Sequence, residues 1–327
     1  MKTVIKILIS IIISILLFFI IDYIFYKYML YNQTYFLNSN KDKIGIQNEQ
    51  IKLSNYFIKL NSFKEIYDIE KSQFRPVMNE NSNENSIIIF GCSYAYGYIF
   101  ENEKTLSYIM SKYSKRPIYN RSMNGWGIQH MLYQLKEDKN MYNEITKPKY
   151  VFYVLMNDSS HFLRLFHSSF PDIFDSQFYL TYKSYKGDLK EKKPLFNIYI
   201  DFMLTKHLYN SFIRNKIDYD FYINPDENEK LFDFFVLHFK VANNLIKKNW
   251  GNETKFIILT FENTQKQYWE NKLKKLEIDV IDIAEIIEDN NLTDFKKGYF
   301  EPEIYGHPNE KLWEKLVPKL KKIYPDL

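Results

Sequence analysis

Ser93 stands where a serine could act as a nucleophile, in the run GCSYAYG of residues 91–97. The preceding residues 86–90, SIIIF, form a short continuous apolar run that is typical of a buried parallel strand. Ligands of parallel sheets bind at the carboxyl ends of the strands, so a serine just beyond this strand is placed for chemistry on a bound molecule. The local pattern fits equally well a serine that caps the following helix.

Three further segments lie beyond predicted strands or in loops. Gly125 ends the run NRSMNG after the second predicted strand, and Asn157 follows the third strand within Met-Asn-Asp. His307 lies in His-Pro-Asn, shortly before the last predicted helix. Serine, glycine, asparagine and histidine therefore occur in that order along the chain. This order favours a functional serine over a helix cap.

These positions resemble the SGNH hydrolases, the GDSL-like esterase and lipase superfamily. Residues 91–93 match its first block, with Gly-Cys-Ser in place of Gly-Asp-Ser, and Gly125 matches the second-block glycine. Asn157 followed by aspartate matches the third block, and His307 followed by proline matches the last. The resemblance covers about residues 86–324.

The resemblance implies a serine esterase without a metal or a cofactor. Ser93 is the nucleophile in this interpretation, and His307 is the general base, because an unassisted hydroxyl is a poor nucleophile at neutral pH. The oxyanion of the tetrahedral intermediate has three expected donors: the backbone N–H groups of Ser93 and Gly125, and the side-chain amide of Asn157.

Two positions depart from the family pattern. Cys92 replaces the usual aspartate beside the nucleophile, and we predict that it is a small buried hydrophobic residue. The family places the triad aspartate three residues before the histidine, where this chain has Ile304. Three alternatives stay open: Glu303 orients His307 after a local bulge, a backbone carbonyl orients it, or the enzyme works as a Ser–His dyad.

Strands and helices alternate from residue 86 onward. This alternation predicts an α/β fold, a doubly wound and mostly parallel sheet of the flavodoxin-like SGNH type flanked by helices. The predicted strands are 86–90, 117–119, 150–155, 256–259 and 280–283. The predicted helices are 103–113, 128–135, 231–246, 265–276 and 310–323. Residues 31–85 are predicted to be a polar connector before the hydrolase domain of residues 86–327, and residues 160–227 an insertion within it.

The N-terminal residues are apolar. Residues 7–21 carry no charge, and the apolar stretch of about 4–28 is long enough for a transmembrane helix, which needs roughly 20 residues. We predict a signal-anchor within residues 1–30; a cleaved signal peptide and a buried helix are the alternatives. Lys2 and Lys6 precede the uncharged residues 7–21, which favours a cytoplasmic N-terminus and an extracytoplasmic domain on a single-pass membrane protein.

Composition excludes several classes of function. The 44 basic and 40 acidic residues are spread along the chain, so no nucleic-acid-binding surface is indicated. With one cysteine, the chain can form neither an internal disulfide nor a cysteine-based zinc site, and its histidines lack metal-ligand spacing.

The sequence predicts a membrane-anchored ester hydrolase that acts through an acyl-serine intermediate. We expect it to remove O-acetyl or other acyl groups from a cell-envelope glycan or a small ester. An O-acetyltransferase that modifies a surface polysaccharide is one alternative, and a non-catalytic envelope protein that retains the fold is another. The sequence identifies no protein partner.

Overall fold

The computed structural model describes residues 5–7, 9–21, 71, 74–98, 100–155, 182–185, 188–191, 225–261, 271–287, 298–301 and 306–327. Residues 5–7 and 9–21 are helical, and their large apolar side chains are mostly exposed. Within these described ranges, no helix combines the length and the apolar character needed to cross a bilayer. The predicted span of about residues 4–28 lies partly outside them.

Five parallel strands form the central sheet. They are β1 (Ser86–Gly91), β2 (Ile118–Asn120), β3 (Pro148–Leu155), β6 (Lys255–Thr260) and β7 (Ile278–Asp282). Their order across the sheet is β2-β1-β3-β6-β7, the 2-1-3-4-5 order of flavodoxin-like sheets. The prediction of an α/β fold with a parallel sheet is therefore confirmed.

The three central strands, β1, β3 and β6, are buried on both faces because most of their residues are apolar. Ile88 and Phe90 of β1 pack in one core cluster, while Ile87 and Ile89 pack in a second cluster on the opposite face. Neighbouring side chains of a strand point to opposite faces, so a continuous apolar run supplies both cores.

Helices cover the two faces of the sheet. They are α1 (Ser93–Tyr96), α2 (Leu106–Ser111), α3 (Ile128–Glu137), α4 (Lys139–Glu144), α5 (Pro225–Trp250), α6 (Ile283–Ile286) and α7 (Glu310–Ile323). Buried residues of α3 and α5 belong to the first core cluster, and those of α2 and α7 belong to the second. The sheet thus lies between two helical layers.

Several element boundaries differ from the predicted ones for local reasons. The strand predicted over 280–283 is β7, which ends at Asp282. The Asp282 carboxylate accepts hydrogen bonds from the backbone N–H groups of Ala284 and Glu285, so the chain turns into α6 there. Helix α5 begins at Pro225 rather than at 231, and proline is favoured in the first turn of a helix.

Short antiparallel pairs accompany the central sheet. β4 (Tyr182–Tyr185) and β5 (Asp188–Glu191) form a hairpin within the predicted insertion of residues 160–227. The hairpin was not predicted from the sequence. β8 (Phe300–Glu301) pairs with β9 (His307–Pro308) near the carboxyl ends of the central strands.

The segment before β1 contacts the sheet domain. Met78 and Ile118 exchange backbone hydrogen bonds of 3.1 and 2.9 Å in an antiparallel bridge at the β2 edge. Phe74 packs edge-on against Trp126, with 5.9 Å between ring centroids. These residues of the predicted connector are therefore bound to the domain that follows them.

Candidate active site

The candidate site lies where the chain order across the sheet reverses. From β1 the chain proceeds to β2 on one side, and from β3 it proceeds to β6 on the other. In parallel sheets, ligands bind in the crevice that opens at this switch point, outside the carboxyl ends of the strands. The segments that follow β1, β2 and β3 all begin at this edge.

Ser93 is the first residue of α1, directly beyond β1. Cys92 occupies the N-cap position, so Ser93 is not the cap that the local pattern also allowed. Its backbone N–H belongs to the first turn of the helix, where N–H groups have no carbonyl acceptor within the helix. Ser93 is partly exposed, whereas Cys92 is 1% exposed and packs in the second core cluster, as predicted.

Gly91 makes the abrupt turn from β1 into α1 possible. Its φ of +149° is a conformation that side chains disfavour. A Cβ atom at this position would lie 2.8 Å from the Ala95 Cβ and 2.9 Å from the Val154 carbonyl oxygen. The helix that carries Ser93 can therefore approach β3 closely only because residue 91 has no side chain.

The structure brings His307 to Ser93 although they lie 214 residues apart in sequence. The Nε2 atom of His307 lies 2.9 Å from the Oγ atom of Ser93, within hydrogen-bond distance. His307 opens β9, whose register pairs it with Glu301 of β8. The two short strands thus place the imidazole over the carboxyl end of β1.

Two tyrosines that the sequence analysis did not assign to the site flank His307. Tyr94 contacts the imidazole with 5.2 Å between ring centroids, and its hydroxyl donates a 2.9 Å hydrogen bond to the Gly306 carbonyl. Tyr98 contacts the same imidazole at 5.4 Å. Both follow Ser93 closely in sequence, but aromatic residues are too common in this chain to identify them without the structure.

Gly125 lies in the segment that follows β2, at the same edge of the sheet. Two backbone hydrogen bonds hold the start of this segment against β1, from Arg121 N–H to the Ile89 carbonyl at 2.8 Å and from Met123 N–H to the Gly91 carbonyl at 3.4 Å. Gly125 itself has a φ of +72°, in the left-handed region that favours glycine. The segment therefore runs beside the turn that carries Ser93.

Trp126, the residue after Gly125, is a packed core residue. It is 1% exposed and stacks on His130, with 5.4 Å between ring centroids. The Nδ1 atom of His130 accepts a 2.9 Å hydrogen bond from the Gly127 N–H at the start of α3. This buried histidine has a structural role at the helix terminus.

Two predicted site residues, Asn157 and Glu303, lie outside the described residues, as does Ile304. The alternatives for the group that orients His307 therefore stay open. Among the residues that the structure describes, no three His, Cys, Asp or Glu side chains are grouped as a metal site requires.

Comparisons with known proteins give a fold likeness. No protein-family model matches the sequence, and no curated protein matches it. A solved structure described as a GDSL-like lipase from Parabacteroides merdae superposes on 75% of this chain and 97% of its own, with a TM-score of 0.37 and 9% identity. At that TM-score the likeness does not establish a family for this chain.

Proposed function

We propose that this protein is a serine ester hydrolase in which Ser93 is the nucleophile and His307 the general base. The observation that carries the proposal is the 2.9 Å separation of the Ser93 Oγ and His307 Nε2 atoms. A serine and a histidine at hydrogen-bond distance, at the carboxyl edge of a parallel sheet, form the minimal pair for acyl transfer.

The reaction proceeds in two acyl-transfer steps. Ser93 Oγ attacks the ester carbonyl carbon while His307 Nε2 takes the hydroxyl proton, and the carbonyl π electrons move onto its oxygen. Collapse of this oxyanion breaks the bond to the alcohol, which leaves with the proton from Nε2. Water then attacks the acyl-serine with the same assistance and releases the carboxylic acid. For this role, the neutral imidazole must carry its ring hydrogen on Nδ1.

Three donors are proposed for the oxyanion. Ser93 supplies its backbone N–H from the first turn of α1, and Gly125 supplies a second N–H from the neighbouring segment. Asn157, two residues beyond the end of β3, supplies a side-chain amide. Loss of one such donor typically lowers turnover by on the order of a hundredfold or more.

The proposed substrate is an O-acylated glycan of the cell envelope, with acetyl as the acyl group. The apolar N-terminal sequence supports this proposal, since a membrane anchor there would hold the domain beside envelope polymers. The Glu303 carboxylate is proposed as the group that orients His307, on the basis of its position in the sequence.

Hydrolysis of a small acetyl ester by the full-length protein tests the proposal. We expect the wild type to release acetate and Ser93→Ala to lose at least about a thousandfold in kcat. Ser111→Ala, a matched serine substitution in α2, should retain wild-type activity. If Ser93→Ala hydrolyses the ester as fast as the wild type, the nucleophile assignment is wrong. A wild type that releases no acetate would favour the non-catalytic alternative. Transfer of the acetyl group to an added glycan, in preference to water, would instead identify an acetyltransferase.

A further inference from the structure

Arg75 lies in the segment before β1, and its guanidinium group binds the last residue of α1 and the turn that follows it. The Nε atom donates to the Tyr96 carbonyl at 3.1 Å, and Nη2 donates to the carbonyls of Gly97 and Phe100 at 2.7 and 2.9 Å. The Nη1 atom donates to Asn102 Oδ1 at 2.8 Å. One side chain therefore holds three backbone carbonyls and one side-chain amide oxygen.

The same turn binds Ser93 through the backbone. We refer to residues 96–98 and 100 as the clamped turn. Its Gly97 and Tyr98 N–H groups both donate to the Ser93 carbonyl, at 2.9 and 3.0 Å. Helix α1 is only four residues long, so these bonds are a large share of what fixes the nucleophile's backbone. A shift of the clamped turn would move Ser93 with it.

The clamped turn also contacts the proposed base. The Tyr98 ring packs against the His307 imidazole, with 5.4 Å between ring centroids. The turn that Arg75 holds is therefore connected to Ser93 by two hydrogen bonds and to His307 by a ring contact. Both members of the pair depend on its position.

Arginine is suited to this position for geometric reasons. A guanidinium group presents its donors in a fixed planar fork, so it can bind several diverging carbonyls at once, whereas the lysine ammonium is a single point of charge. The Arg75 guanidinium also stacks over the Tyr96 ring at 4.6 Å. Burial lowers the pKa of Arg75, and an arginine remains protonated at neutral pH despite such a shift.

We propose that Arg75 is a positioning residue for the Ser93–His307 pair, acting through the clamped turn. The inference rests on the proposed function and deepens it, because it assigns part of the active site to the segment before β1. It follows that a protein that begins at residue 86 lacks a component of the site.

The steady-state kinetics of the full-length protein on a small acetyl ester test this role. We expect Arg75→Ala to lower kcat roughly ten- to a hundredfold with KM nearly unchanged, since a misplacement of about 1 Å has that effect. Arg75→Lys should restore only part of kcat. Millimolar guanidinium chloride, far below denaturing concentrations, should restore activity to Arg75→Ala by refilling the vacated position.

Arg116→Ala is the matched control. Arg116 also donates to two backbone carbonyls, those of Asp326 and Asn85, but at the amino end of β1. We expect Arg116→Ala to lower thermal stability without lowering kcat, and guanidinium to have no effect on its activity. If Arg75→Ala keeps wild-type kcat, or loses activity only in proportion to thermal stability and without rescue, the positioning role is wrong while the proposed function stands. If the wild type and Ser93→Ala react alike, both fail.

Discussion

At the scale of single residues, the candidate site depends on a position where one added side-chain atom would prevent the observed backbone conformation. Ser93 contributes a hydroxyl, but its placement depends on the missing side chain of Gly91. Residue 91 has a φ of +149° and lies against both α1 and β3. The proposed nucleophile is therefore positioned by a residue that has no chemistry of its own.

Gly91→Ala should destabilise the protein and reduce ester hydrolysis together. The added Cβ would lie 2.8 Å from the Ala95 Cβ and 2.9 Å from the Val154 oxygen, so α1 must shift. We expect a loss of roughly 2 kcal/mol in the free energy of unfolding, measured by urea denaturation. Gly298→Ala is the control, because a Cβ there meets no atom of the described residues within 4 Å. Equal effects of the two substitutions would contradict this explanation.

At the scale of elements, α1 and the β8–β9 pair supply the two halves of the site and are joined by Tyr94. Its hydroxyl crosses from α1 to the Gly306 carbonyl, one residue before His307. Its ring also packs against Phe261 and Phe300, with centroid distances of 5.2 and 5.9 Å. A residue of α1, the helix that carries Ser93, therefore anchors the segment that carries His307.

Tyr94→Phe should lower kcat severalfold while the protein stays folded. The substitution keeps the ring contacts and removes only the hydrogen bond to Gly306, an interaction of about 1 kcal/mol, so His307 is held less firmly. Tyr113→Phe, at a position where the tyrosine is 42% exposed, should leave kcat unchanged. Steady-state kinetics alongside circular dichroism would check both. A Tyr94→Phe variant with wild-type kcat would show that the ring contacts suffice to position His307 and that the hydrogen bond to Gly306 is not needed.

At the scale of the whole molecule, tyrosine hydroxyl groups link helices to one another and to the sheet. The Tyr142 hydroxyl donates to the Leu135 carbonyl and accepts a 2.7 Å hydrogen bond from Asn249, so it joins α4 to α3 and α5. Burial is the main reason that the pKa of Tyr142 is raised to about 12. Burial also raises the pKa of Tyr324, whose hydroxyl donates to Asp279.

Alkaline pH should therefore destabilise the fold. A phenol whose pKa is raised on folding binds its proton more tightly in the folded state, so its stabilising effect is complete below the unfolded pKa of about 10. That effect is lost as the pH rises through the folded pKa, which is about 12 for Tyr142. Urea denaturation across this range should show a falling free energy of unfolding, with a shallower fall in Tyr142→Phe. An unchanged slope in that variant would contradict the assignment.

The sheet and the Ser93–His307 pair were both predicted from the sequence, but on different grounds. β1 was predicted because the four residues 87–90, IIIF, form an apolar run, and such local patterns survive in the fold. The pairing of Ser93 with His307 spans 214 residues, and only the resemblance of motifs indicated it. Arg75 was missed because its partners are mostly backbone carbonyls, which leave no signature in the side chains around them.

Covalent trapping of the nucleophile tests the central claim most directly. A fluorophosphonate reacts with a serine whose hydroxyl is deprotonated by a neighbouring base, and peptide mass spectrometry locates the adduct. We predict one adduct on Ser93, no adduct on Ser93→Ala, and much slower labelling of His307→Gln, because Nε2 then no longer takes the proton. If His307→Gln is labelled at the wild-type rate, the role of His307 is contradicted. If Ser93→Ala still forms an adduct at another residue, the role of Ser93 is contradicted.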